Sequence, residues 1–129
     1  MTREIVKTDK APAPIGPYNQ GIITGGKMLF TSGQIAIDPK TNQVGSSLDI
    51  KGQTRLVLEN MKAILTAGGT NLKNVIKTTV YLKNIGDFTA MNEVYAEFLS
   101  ESAPARSTVE VARLPKDVLV EIDCIALIE

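Results

Sequence analysis

The chain has 129 residues, 43% of them hydrophobic and 22% charged, a balance that suits one globular domain with a modest core and excludes a disordered segment. Its 14 Lys and Arg residues match 14 Asp and Glu residues, a balance that gives no support to counterion-release binding of nucleic acid, though it leaves room for a local patch. It has no histidine and one cysteine, Cys124, which excludes histidine-built zinc sites, Ser-His-Asp and Cys-His nucleophiles and an intrachain disulfide.

The opening MTREIVKTDKAPA lacks the apolar core of a secretory signal, and no later apolar run reaches membrane-spanning length. A cytoplasmic protein with no membrane partner is expected. APAPIGPYNQG, residues 11–21, is rich in Pro and Gly and should be an ordered loop leading into a strand. In GIITGGKMLFTSGQIAI two apolar runs flank Gly25-Gly26, the mark of a hairpin turn. Ser32-Gly33 interrupts the second run, as a bulge or bend would. DPKTNQVGSS, 38–47, reads as a loop.

DIKGQTRLVLENMKAILTAGG repeats Thr54, Val57, Leu58, Met61, Ile64 and Leu65 at helical spacing. Asp49 is placed to cap its start, and Gly68-Gly69 to end it in a left-handed turn. VIKTTVYLK, 75–83, alternates as a β-branched strand. DFTAMNEVYAEFLS predicts a second helix with Asp87 as N-cap and Phe88, Met91, Tyr95, Phe98 and Leu99 as its apolar stripe. Two strands close the chain, at about 107–112 and 118–128, joined by RLPKD. The order β-β-β-α-β-α-β-β, with no internal linker, predicts one α+β domain over 1–129 with two helices on one face of a mixed sheet.

The last strand bears on the opposite face. Val118, Val120, Ile122, Cys124, Ala126 and Ile128 point one way and are all apolar. Leu119, Glu121, Asp123, Ile125 and Leu127 point the other way, and most of these are apolar too. A wetted face alternates more cleanly, so a second subunit is expected to cover this one.

Arg106 and Glu121 stand out: Arg106 lies between small residues at the head of an alternating run, and Glu121 sits amid the apolar neighbours of the last strand. They could form a structural ion pair at a subunit contact. Alternatively, Arg106 receives an anionic ligand, since its planar fork of donors suits a carboxylate, and Glu121 handles water or a proton. Tyr18 could pack its ring on the sheet or offer its hydroxyl to a ligand. Ser32-Gly33 could be only a bulge or could present backbone N–H groups to an anion. Asn92 sits between stripe positions of the second helix, as a half-buried hydrogen-bonder or a ligand contact. Cys124 falls on the fully apolar face and reads as inert core. The paired glycines lack the spacing and lysine of a phosphate loop.

GPYNQG (16–21), TSGQI (31–35) and above all PARSTVEVARLPKDVLVEI (104–122) closely resemble the RidA family, also called YjgF-type proteins or reactive-intermediate deaminases. The resemblance covers nearly the whole chain. It implies a chorismate-mutase-like α+β fold and a homotrimer in which three sheets form a central β-barrel with helices outside. Active sites then lie in clefts between subunits. It implies hydrolysis of 2-imino and 2-enamino acids, such as 2-iminobutanoate and 2-iminopropanoate, to 2-keto acids and ammonia, with no metal or organic cofactor. Carried over by motif, Arg106 binds the substrate carboxylate and Glu121 orients or activates the attacking water. Tyr18, Ser32, Gly33 and Asn92 match pocket positions. Thr108 stands where several members have cysteine, which argues against an essential thiol and leaves the backbone there as the contributor. Two other readings remain: a regulatory module that senses a keto or amino acid without turnover, and RNA cleavage or translation inhibition, labels the family also carries.

Overall fold

The computed structural model describes residues 3–129. Strands β1 (Glu4–Val6), β2 (Gly21–Ile23) and β3 (Met28–Phe30) precede helix α1 (Ile50–Ala67). β4 (Val75–Leu82), α2 (Phe88–Leu99), β5 (Ala105–Glu110) and β6 (Val120–Leu127) complete the expected order. Asp49 caps α1 by accepting a hydrogen bond from the Gly52 amide at 2.9 Å, and Gly69 takes the left-handed conformation just beyond its end (φ 85°). Asp87 occupies the N-cap of α2, but its side chain makes no capping hydrogen bond, because a short 3₁₀ turn (Ile85–Asp87) runs straight into the helix.

β3, β6, β4 and β5 form a mixed sheet in that order, with β4 and β5 parallel and the other neighbours antiparallel. A parallel pair needs a crossover, and α2 supplies it. β1 and β2 pair with each other in a separate ribbon. Gly25-Gly26 therefore does not close a hairpin, contrary to the sequence expectation. It carries the chain from the ribbon into the sheet, with Gly26 at φ 114°. The glycines encode a change of direction, and the long apolar β6 chooses the partner. The bulge at Ser32-Gly33 is present: Phe30 pairs with Ile125 and Gln34 with Ile122, so four steps on one side match three on the other.

α1 buries Gln53, Thr54, Val57, Leu58, Met61 and Leu65, and α2 buries Met91, Val94, Tyr95 and Leu99. These pack on Val80, Leu82, Val120, Ile122, Cys124 and Ala126 of one sheet face. Ile64 is only partly buried, and Val94 joins the stripe beyond the predicted positions. Cys124 is 2% exposed, and burial pushes its thiol up to about 11, so it is unionised at neutral pH. The other sheet face has no helix. Met28, Phe30 and Val109 stand exposed there, although Leu127 is already buried within the chain. No helix among the described residues is long and apolar enough to cross a membrane.

Gln53 ties the helix layer to the start of β6. It is 1% exposed, its Oε1 accepts the Leu119 N–H at 2.9 Å, and its Nε2 donates to the Leu48 carbonyl at 3.2 Å. Gln53→Leu keeps the volume but strands the Leu119 amide, which should cost about 1–3 kcal/mol of stability. Urea unfolding measures this; an unchanged midpoint would contradict a fastening role for Gln53.

Candidate active site

Arg106 lies on β5 directly beside Thr78 of β4, and Thr78 lies beside Cys124 of β6. All three therefore point to the helix-covered face. At the sheet edge the Arg106 side chain meets α2 and the loop before β2. Its Nη1 donates to Asn92 Oδ1 at 2.6 Å. Its Cζ lies 4.7 Å from the Tyr95 ring centroid, 5.1 Å from that of Tyr18 and 5.4 Å from that of Phe88. Gly16 lets the loop come close: a Cβ there would be 3.0 Å from Arg106 Nη2. The loop is itself pinned, because the Asn19 side chain donates to the Ala103 carbonyl at 2.7 Å. Tyr18 accepts the Ile15 amide at 3.2 Å and keeps its own hydroxyl proton to donate.

Among the described residues Arg106 makes no ion pair. Burial lowers its pKa from the usual guanidinium value, yet that value is high enough to leave it charged. A half-buried cation is thus held by ring faces and one amide oxygen, with donors to spare. A cleft of about 190 Å³ opens beside it, lined by Ile15, Tyr18, Phe88, Arg106 and Thr108. Thr108 Oγ1 is buried there with no hydrogen-bond partner among the described residues. Two larger hollows exist, near Lys73 and near Asn60, but neither holds an unpaired buried charge. Chemistry rather than size selects the small cleft.

Glu121 belongs to the other face. It lies beside Tyr81 on β4, which in turn lies beside Val109 on β5. Its carboxylate covers Gly33, where an added Cβ would clash with the glutamate oxygen. The exposed Ser32-Gly33 bulge thus makes the space that the carboxylate fills. Burial, and then the charge of Asp123 two residues on, push the Glu121 carboxyl above the usual glutamate value. Asp123 in turn accepts a hydrogen bond from the Tyr81 hydroxyl at 3.2 Å.

The structure therefore gathers the sequence candidates into two groups. Arg106, Asn92, Tyr18 and Thr108 meet on the helix side. Glu121, Gly33 and Ser32 meet on the open side. Within one chain Arg106 and Glu121 do not touch. Phe88 and Tyr95 were expected only as core, yet both face the guanidinium. Their spacing around Asn92, at 88, 92 and 95, sets all three on one helical face, a signal present in the sequence. Among the described residues no group of three or more His, Cys, Asp or Glu side chains is placed to hold a metal ion.

The family model described as Endoribonuclease L-PSP, which covers the YjgF and RidA proteins, matches residues 8–128. The chain belongs to the RidA family. Its similarity to a RutC family protein of Pyrococcus horikoshii is 60% identity over 124 residues, 96% of this chain and 97% of the relative. It is 50% identical over 125 residues to the 2-iminobutanoate/2-iminopropanoate deaminase of Salmonella typhimurium, covering 95% of each. Among solved structures, E. coli TdcF with bound serine superposes with a TM-score of 0.75 at 46% identity, covering 98% of this chain and 99% of that one. The RidA family thus includes reactive-intermediate deaminases at about half identity to this chain, and the matching structures share its α+β fold.

The raised Glu121 pKa has a definite sign. The folded chain binds this proton more tightly than the unfolded chain, so the carboxyl's contribution to stability is greatest at low pH. It declines as pH rises through 4.5 to the native midpoint. A carbon-13 titration should place the Glu121 midpoint above 4.5, and Asp123→Asn should bring it down by removing the neighbouring charge. A midpoint that ignores Asp123 would rule out their coupling.

Proposed function

We propose that this protein hydrolyses reactive 2-imino and 2-enamino acids, such as 2-iminobutanoate and 2-iminopropanoate, to 2-keto acids and ammonia. The observation that carries this reading is the unpaired, caged guanidinium of Arg106 at the edge of a small cleft. A half-buried guanidinium with free donors suits one carboxylate, bound bidentately. The cleft volume suits a ligand of a few heavy atoms. The deaminase relative acts on short imino acids by name, and the TdcF structure holds serine, also a small α-carboxylate.

The chemistry asks little of the protein. Water adds to the C=N carbon while its proton passes to a base. The base returns that proton to the nitrogen. The resulting carbinolamine then passes its hydroxyl proton to the nitrogen, expels ammonia and leaves the C=O of the keto acid. An enamine first takes a proton at C3 and gives one up from nitrogen, and so becomes the imine. Arg106 fixes the carboxylate next to the reacting carbon, and Glu121 accepts a hydrogen bond from the water and takes its proton. Positioning and proton transfer suffice, because the imine is already electrophilic. No metal or organic cofactor enters.

Opposite sheet faces separate Arg106 from Glu121, so this reading needs a second copy of the chain. In the homotrimer we propose, the uncovered faces bearing Phe30 and Val109 close into a central β-barrel, in a chorismate-mutase-like arrangement. One copy's Glu121 then approaches the Arg106 cleft of its neighbour. Ser32 and Gly33 accompany Glu121, while Tyr18, Asn92 and Thr108 accompany Arg106. The family model's endoribonuclease description supports RNA cleavage as a rival. Against it stand the balanced charge and the lack of any histidine for acid–base work.

Freshly generated 2-iminobutanoate should yield 2-oxobutanoate and ammonia faster with the protein than without it. Arg106→Ala should remove about 2–4 kcal/mol of carboxylate binding, a loss on the order of 30- to 1000-fold in kcat/KM. Arg106→Lys should recover part of this, and Glu121→Gln should act mainly on kcat. Turnover is normalised to the folded trimer, whose mass by light scattering should be about three times 13.9 kDa. Wild-type turnover in all three variants would leave Arg106 and Glu121 as structural residues and overturn the assignment.

A further inference from the structure

Tyr95 is wholly buried, and its hydroxyl lies 2.7 Å from that of Thr78, which is wholly buried too. Burial pushes the phenol up to about 12, so it stays neutral and keeps its proton. Thr78 is also the residue beside Arg106 in the β4–β5 ladder. One strand position therefore fixes both the backbone next to Arg106 and the ring beneath its guanidinium. Of the three rings around Arg106, that of Tyr95 lies closest to Cζ, at 4.7 Å. Tyr18 and Phe88 are only partly buried, on a loop and at a helix start. Tyr95 also follows Asn92 by one helical turn, so the ring and the amide acceptor approach the guanidinium from one rigid helix.

We infer that Tyr95, locked by Thr78, is a positioning residue for Arg106: it sets the depth and tilt of the guanidinium so that the donors not used by Asn92 face the cleft. The inference rests on the reading of Arg106 as the carboxylate anchor. A flexible arginine would lose rotamer entropy each time it bound a ligand. One already stacked on a fixed ring has lost much of it beforehand. The hydroxyl pair matters because a phenylalanine ring at this depth could slide or tilt, whereas the Thr78 bond leaves one orientation.

The test has a readout that needs no ligand. Rotation of the Arg106 guanidinium about Nε–Cζ is followed by nitrogen-15 exchange NMR, with Arg106→Ala to identify the signal. Rotation should be slow in the wild type and faster in Tyr95→Leu. Affinity for 2-oxobutanoate should fall on the order of ten-fold in Tyr95→Leu, the scale of a desolvated cation–π contact, with kcat nearly unchanged. Tyr95→Phe and Thr78→Val keep the volume and remove one partner each. Both should show a smaller loss, and the double variant no more than Tyr95→Phe alone, since the Thr78 hydroxyl acts through that phenol. If Tyr95→Leu fails to fold, this near-isosteric pair decides the matter by the same exchange rate. In an Arg106→Ala background Tyr95→Leu should have no further effect on affinity. A lowered Tm with wild-type rotation and wild-type affinity would make Tyr95 a core residue only and overturn the inference. Faster rotation in Tyr95→Leu, combined with unchanged affinity in Arg106→Ala, would uphold the positioning and overturn the carboxylate reading instead.

Discussion

An arginine cation taken partly out of water, with no carboxylate among the described residues to meet it, is the constraint from which the rest of this structure follows. Uncompensated burial of a charge is costly, and the chain offsets it with π faces and one amide oxygen. That choice has a chemical consequence. A carboxylate partner would have consumed the guanidinium's fork, whereas rings and Asn92 leave it available. Gly16, the pinned loop around Asn19 and the helical face of Phe88, Asn92 and Tyr95 all serve the same arrangement. The unsatisfied Thr108 hydroxyl in the same cleft is a second polar group left without a partner. Both are groups that the proposed carboxylate ligand would meet, since buried polar atoms in native folds are almost always paired.

Glu121 presents the complementary case. Its proton affinity is raised by burial and by Asp123, and a glycine at 33 is needed to make room for it. A carboxylate under such pressure adds little to stability, but it is tuned toward accepting a proton. The two tuned groups sit on opposite faces of one sheet. The register across three strands sets this, with Arg106 in line with Thr78 and Cys124, and Glu121 in line with Tyr81 and Val109. The open face beside Glu121, with Phe30 and Val109 exposed, is where a second copy would bring them together.

Much of this was legible in the residues, for reasons that differ by element. The helices announce themselves because Val57, Leu58, Met61 and Leu65 repeat with the helical period and Asp49 caps the start. The PARS-to-VEI stretch carries the family, and with it Arg106, Thr108 and Glu121, while GPYNQG contains Tyr18 and TSGQI contains Ser32 and Gly33. Gly25-Gly26 reads as a hairpin in sequence because a turn encodes a local reversal, while strand partners are set by distant segments. The aromatic cage was missed because Phe88 and Tyr95 look the same in sequence whether they face a core or a cation. The separation of Arg106 from Glu121 depends on the β5–β4–β6 register, which arises only when three strands align.

Subunit complementation tests the central claim, a site shared between copies, most directly. Arg106→Ala and Glu121→Gln chains, each inactive alone, are unfolded together, refolded and assayed for imine hydrolysis. If neighbouring copies supply the two residues, random assembly should restore about a quarter of wild-type activity, because a heterologous ring pairs each Arg106 with the next copy's Glu121. A mixture that folds and assembles yet stays as inactive as its components would contradict the shared site.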